Sequence, residues 1–132
     1  MRQESATTIK EGFMPFIEPN EVPELQIAPG CRARTPYGKH LMLSHLRIEP
    51  GAQVPPHSHP HEQAGMLLSG RMELTIGDET RVVAPGSMYI IPADTPHRAV
   101  AIGPEPAVVL DVFSPVREDY VRMTNAYFRQ ET

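Results

Sequence analysis

The chain is poor in cysteine, in positive charge and in long apolar runs, and each shortage closes off a class of protein. Cys31 is the only cysteine among 132 residues, so no internal disulfide can form and a reducing, cytoplasmic setting is expected. Cys31 itself reads as a small buried hydrophobe. Lys and Arg number 12 against 16 Asp and Glu, for a net charge of −4, and there is no basic run. A nucleic-acid partner needs a cationic footprint, so none is expected. No stretch approaches the ~18 apolar residues of a membrane span, and no membrane partner is expected. Met1 to Phe13 mix Arg2, Glu4, Lys10 and Glu11 with polar residues, without the apolar core of a secretory signal. Internal repeats and low-complexity tracts are also missing.

Proline, by contrast, is abundant, with 15 residues, which rules out a helical architecture over most of the chain. Length alone suggests one domain. Residues 1–15 read as a loose polar arm and 16–132 as a single domain. Leu41, Leu43, Leu46 and Ile48 suggest an apolar strand with a switch of polarity near Ser44-His45. Met72, Leu74 and Ile76 alternate with Arg71, Glu73 and Thr75, the period of a half-buried strand. Gly77-Asp78-Glu79 reads as a hairpin turn into Arg81-Val82-Val83, and Met88 to Ile91 as a further strand. Many short strands with regular turns indicate an all-β sandwich or barrel. The C-terminal end differs. A helix is expected over 115–129, with Ser114 as N-cap, Pro115 at its first position and two acids, Glu118 and Asp119, in the first turn. Tyr120, Met123 and Tyr127 would form the stripe that packs it on the barrel.

The chemistry concentrates in two Gly-Pro-rich segments, Gly51 to Gly70 and Gly86 to His97. His57 and His59 stand two apart on an extended segment, so their imidazoles project to one side. With further polar ligands arriving from neighbouring strands, such a pair suits a transition metal. His61 lies beyond Pro60, which makes a straight continuation of the strand unlikely. A place at the pocket rim and plain exposure are both open for it. His40 and His45 read as strand histidines without a catalytic role. Asp111 interrupts the apolar run Ala107 to Phe113. A carboxylate there costs several kcal/mol unless it is paired, coordinated or protonated. Strand periodicity puts Phe113 on the same face. A buried carboxylate is a natural proton-transfer group; pairing with an arginine or capping a turn is the alternative. Arg117 falls in the first turn of the expected helix, where the macrodipole disfavours a cation. It would clamp a substrate carboxylate, pair with Asp111, or be exposed.

The two segments resemble the paired motifs of the cupin superfamily. In the first, Gly51, His57, His59 and Gly70 fall in register, with Gln63 where a glutamate usually stands. In the second, Gly86, Pro92 and His97 are in register and Asp94 replaces a glycine. The resemblance implies a double-stranded β-helix, the cupin jelly-roll barrel, closed by a short C-terminal helix. It also implies one divalent transition metal (Zn, Ni, Mn or Fe) on His57, His59, Gln63 and His97. The alternative for Gln63 is a nearby hydrogen bond, with water completing the shell. All four ligands are neutral, so the ion would keep its full charge for Lewis-acid work.

Within the superfamily, His57-Ser-His59-Pro-His61-Glu62-Gln63, Leu110-Asp111-Val112-Phe113 and Ser114-Pro115-Val116-Arg117 look like the unsaturated-uronate ketonases of pectin and alginate breakdown. These open a 4,5-unsaturated uronate to a linear keto acid. Carried over, Asp111 and Arg117 are the catalytic residues, and Phe113, Tyr89 and His61 line the substrate pocket. The departures are a longer N-terminal arm and Ala101 in place of an asparagine. A homodimer through Met42, Leu46 and Ile48 is expected by family analogy. Two other readings stay open: an Fe(II)-dependent dioxygenase acting on a small diketone or aromatic, and a non-catalytic, metal-containing sugar or small-molecule binding protein.

Overall fold

The computed structural model describes residues 15–131 together with two dipeptide strands. These are β1 (Thr8–Ile9) and β2 (Gly12–Phe13), which pair antiparallel. The arm expected over 1–15 otherwise lies outside the described residues. A 3₁₀ turn, Pro19–Glu21, leads into β3 (Leu25–Ala28), β4 (Cys31–Arg34), β5 (Met42–Ile48), β6 (Gln53–His57) and β7 (Glu62–Ser69). There follow β8 (Met72–Ile76), β9 (Glu79–Val83), β10 (Met88–Ile91), β11 (His97–Ala101), β12 (Ala107–Ser114) and helix α1 (Glu118–Glu131). Two antiparallel sheets result: six strands in the order β10-β7-β12-β5-β4-β3, and four in the order β6-β11-β8-β9. This is the expected all-β jelly roll with a C-terminal helix. Among the described residues no helix is long and apolar enough to cross a membrane.

Local chemistry explains the strand placement. Pro55 and Pro56 lie in β6, which runs at the edge of its sheet, where a missing ladder N–H is tolerated. Gly77 and Asp78 close the β8–β9 hairpin, with Ile76 paired to Glu79. Gly70 turns the chain from β7 to β8 with φ +82, and a Cβ there would lie 2.2 Å from the Pro106 carbonyl oxygen. The inward side chains of the two sheets form one core, built on Leu46, Ile48, Leu67, Met72, Leu74 and Val109. A second cluster of Leu25, Met42, Phe113 and Tyr120 closes one end.

Four sequence expectations change here. β5 carries no switch of polarity. Its burial alternates strictly, so Met42, Ser44, Leu46 and Ile48 all point inward while Leu41 and Leu43 face out. Ser44, 2% exposed, simply occupies an inward position of an unbroken strand. Consequently Met42, Leu46 and Ile48 belong to the interior and cannot form the expected dimer face. The helix starts at Glu118 rather than at Pro115, because Ser114 is still in β12, paired with Glu62 of β7. Its packed face holds Tyr120 and Thr124, spaced i, i+4, whereas Met123 and Tyr127 of the expected stripe are 37% and 42% exposed.

The β5 correction makes a stability prediction. Met42→Ala should cost about 2–5 kcal/mol of unfolding free energy, and Leu43→Ala no more than about 0.5 kcal/mol. Urea unfolding of the two variants checks this, and equal losses would restore the switched register.

Candidate metal centre

The candidate ligands come from two paired strands of the four-stranded sheet, the loop that follows one of them, and β7 of the six-stranded sheet. His57 ends β6 and is the register partner of His97, which opens β11. His59 lies in the loop after β6, and Gln63 follows on β7. Imidazole centroids are 4.2 Å apart for His57–His97, 5.0 Å for His59–His97 and 5.6 Å for His57–His59. The ligand atoms of these three histidines lie within 4.8 Å of one another, as a metal-binding group requires. Asp94 holds the arrangement together. Its backbone N–H donates to the His59 carbonyl at 2.8 Å, and its φ of 63 is a left-handed conformation that aspartate tolerates better than most residues. That accounts for an aspartate where a glycine is usual.

Each ring is oriented by a backbone carbonyl. His57 Nδ1 lies 2.8 Å from Pro55 O, His97 Nδ1 2.8 Å from Thr95 O, and His59 Nδ1 3.1 Å from His61 O. Carbonyls only accept, so this network assigns the proton of each ring to Nδ1 and leaves Nε2 as a lone pair. Gln63 is oriented in the same way. Its amide N–H donates to Asp111 Oδ2 at 3.2 Å, which turns its Oε1 toward His59 Nε2, 3.1 Å away. Two acceptors then face each other, and the buried Nε2 of His97 has no hydrogen-bond partner among the described residues. Converging lone pairs of this kind, each ring held through its other nitrogen, fit a bound cation. Charge supports the neutral rings. Burial, followed by the positive Arg117 and the neighbouring imidazoles, lowers the His59 pKa to about 4, and burial chiefly lowers that of His97.

A small cavity of about 40 Å³ adjoins the cluster, walled by His57, Gln63, His97, Tyr89, Asp111, Phe113 and Arg117 among others. A groove of about 290 Å³ at the mouth shares His57 and Arg117 with it and runs along Asp119, Tyr120 and Met123. Asp111 is 4% exposed. Burial raises its pKa to about 6, against the pull of the Tyr89 and Gln63 hydrogen bonds. Phe113 lies edge-on to His59 at 5.6 Å. Arg117 does not reach Asp111. It is paired with Asp119, Nη2 to Oδ2 2.8 Å, and sits 4.0 Å above the Tyr120 ring and 5.1 Å from the Phe113 centroid. His61 is not brought to the cavity wall. It is 7% exposed, and its Nε2 faces Glu118 Oε1 of α1 at 3.1 Å. His45 is an exposed strand residue and His40 lies in an exposed bend outside any strand.

Sequence reasoning missed Gly65, Asp119 and Glu118. Gly65 had a signal, since a lone glycine inside a strand pattern marks a close approach. Asp119 and Glu118 were visible only as first-turn acids.

The chain matches the Cupin_2 cupin-domain family over residues 44–113 and belongs to it. Among particular relatives, it is 29% identical over 108 residues to the pectin degradation protein KdgF of Dickeya dadantii, covering 80% of this chain and 96% of that protein. It is 35% identical over 73 residues to the H2HPP isomerase of Bacillus subtilis, but spans only 30% of that protein's length. The solved structure of KdgF from Halomonas superposes with a TM-score of 0.73 at 31% identity, covering 81% of this chain and 98% of that one. An RmlC-like cupin from Shewanella frigidimarina gives 0.76 at 23% identity, covering 83% and 98% respectively, a likeness of fold.

The raised Asp111 pKa makes a linkage prediction for the metal-free protein. The native state takes up a proton near pH 6 and the unfolded chain only near 3.8. Acidification through that window therefore stabilises the parent, while Asp111→Asn lacks this contribution. The stability of the variant relative to the parent should fall as pH drops from about 6 to 3.8. Urea unfolding at stepped pH reads it, and a constant difference would refute the raised value.

Proposed function

We propose that the chain is a metal-dependent isomerase of the ketonase type, converting a 4,5-unsaturated uronate to a linear keto acid. One observation carries the reading. Asp111, Phe113 and Arg117 are gathered with His57, Gln63 and His97 on the walls of one cavity. The likeness to a pectin degradation protein supports the substrate class. The reaction is an isomerisation without gain or loss of atoms. The ring hemiacetal opens as its C–O bond breaks and its hydroxyl proton leaves, giving an aldehyde and an enol. The enol becomes a ketone when a proton returns to the adjacent carbon.

His57, His59, His97 and Gln63 would hold one divalent ion, which supplies Lewis acidity toward the substrate's carboxylate and ring oxygen. The mouth groove takes the bulk of the substrate and the reacting edge points inward. Arg117, kept in place by Asp119 and the Tyr120 face, meets the carboxylate. Asp111 moves the proton, its carboxyl poised by burial near neutral pH. Phe113 covers the sugar face and excludes water. The reading includes a cytoplasmic setting, with which the free, buried Cys31 is compatible.

The assay is loss of the conjugated enol absorbance of an unsaturated uronate, with elemental analysis of the same sample. Turnover is expected with one divalent ion per chain, lost on chelation and in a His57→Ala/His97→Ala variant that no longer retains metal. At saturating metal, Asp111→Asn should lower turnover about a hundredfold or more. Arg117→Ala should raise KM more than it lowers kcat, since a carboxylate clamp acts in ground and transition states alike. Stoichiometric metal in the double histidine variant, or parent-like turnover by Asp111→Asn, would sink the mechanism.

The reading includes a homodimer. The outer face of the six-stranded sheet carries it, in two cross-strand rows: Ile90, Ala64, Val112 and Leu43, and Met88, Met66, Leu110 and His45. Met88 and Ile90 are 78% and 64% exposed, an apolar patch of the kind that marks an interface. Light scattering at micromolar concentration should give a dimer for the parent and a monomer for Met88→Glu/Ile90→Glu. A monomeric parent would contradict it.

A further inference from the structure

A polar row crosses β7 beside the amide that faces the imidazoles, and no step above uses the whole of it. Tyr89 on β10, Gly65 on β7 and Asp111 on β12 are register partners. They stand abreast on the inner face of the six-stranded sheet. Gly65 has no side chain, and the space is needed. A Cβ there would lie 2.0 Å from Asp111 Oδ1 and 2.6 Å from the Tyr89 ring and hydroxyl. Across this gap the Tyr89 hydroxyl donates to Asp111 Oδ1 at 2.6 Å. Asp111 Oδ2 accepts from the Gln63 amide N–H at 3.2 Å. Both carboxylate oxygens are thus taken by donors, one from β10 across Gly65 and one from β7 itself.

The polarity of this chain of bonds matters because a primary amide can turn end for end in nearly the same volume. Turned, Gln63 would present an N–H to the lone pair of His59 and could hold no cation. An ionised carboxylate only accepts, so it selects the N–H end of Gln63 and sends the oxygen inward. That selection needs a carboxylate that is itself held still. Among the described residues, the side-chain donor to Asp111 other than Gln63 is the Tyr89 hydroxyl.

We propose that Tyr89, acting through Asp111 across the gap left by Gly65, is the positioning residue that keeps the Gln63 amide oxygen turned toward the metal-binding imidazoles. The inference rests on the metal-binding part of the reading above and is independent of its substrate. Groups that orient a metal ligand typically contribute 10–100-fold in metal affinity.

The test uses the full chain and zinc alone, with affinity measured by competition against a chromophoric chelator in the absence of substrate. Tyr89→Phe keeps the ring and removes only the donor. It should weaken zinc binding about 10–100-fold, with a melting temperature close to the parent's. Asp111→Asn should weaken it at least as much. The asparagine accepts from Tyr89 and presents its own N–H to Gln63, which turns the amide around. Leu74→Ala, on the wall of the same cavity, controls for packing: it should lower the melting temperature without changing zinc affinity. Parent-like zinc affinity in Tyr89→Phe would overturn the proposal, as would an equal loss in Leu74→Ala. Failure of the uronate assay with these zinc results intact would overturn the substrate reading and leave the positioning role standing.

Discussion

Everything at this site depends on three imidazole lone pairs meeting without a proton among them. Two of the three are set by the same local device. His57 and His97 each follow a proline, in Pro55-Pro56-His57 and Thr95-Pro96-His97, and in each the carbonyl two residues back accepts from Nδ1. Proline fixes φ and keeps the residue before it extended, so that carbonyl is delivered at a set angle. The antiparallel β6–β11 pairing then sets His57 opposite His97. His59 uses the opposite direction, donating to His61 O beyond Pro60. His61 therefore serves the centre through its carbonyl, while its ring meets the start of α1.

The fold was legible because its strands punctuate themselves. Alternation over Met72 to Ile76, the Gly77-Asp78 turn and the proline density led to a β sandwich without any long-range information. The motif spacing led to His57, His59 and His97. What failed were readings that depend on which face of an element is buried. β5 looked switched because Ser44 is polar and Leu43 is not. In the folded chain Ser44 lies under the sheet, and Leu43 lies on the outer face opposite Val112. The helix stripe failed similarly: Thr124, fully buried, marks the packed face, and no hydrophobicity scale would choose it over Met123.

Partners of ionised groups were the least legible part. Asp111 stood out as an anomaly because a carboxylate in an apolar strand is costly wherever it lies. Its partners come from β10 and β7, strands far away in sequence, and no periodicity joins them. Arg117 was expected to reach a substrate or Asp111. Asp119, two residues along the chain, competes for it locally and wins in the folded protein. That pairing holds the guanidinium over Tyr120, so its position is set before anything binds.

The charge distribution that follows favours an anion. The imidazoles and the amide carry no charge, and the positive Arg117 helps keep His59 unprotonated. Among the cavity walls, Asp111 is the one carboxylate that approaches the ligand group. It does so through the amide of Gln63. A divalent ion here would keep most of its charge facing the mouth, beside a guanidinium already neutralised on its far side by Asp119. An acidic sugar entering the groove would meet a net positive field of short range, strengthened by the low-dielectric walls. A neutral diketone or aromatic would gain little from it. Under the proposed function, the same neutral donors that leave the metal's identity open favour a substrate that carries a carboxylate.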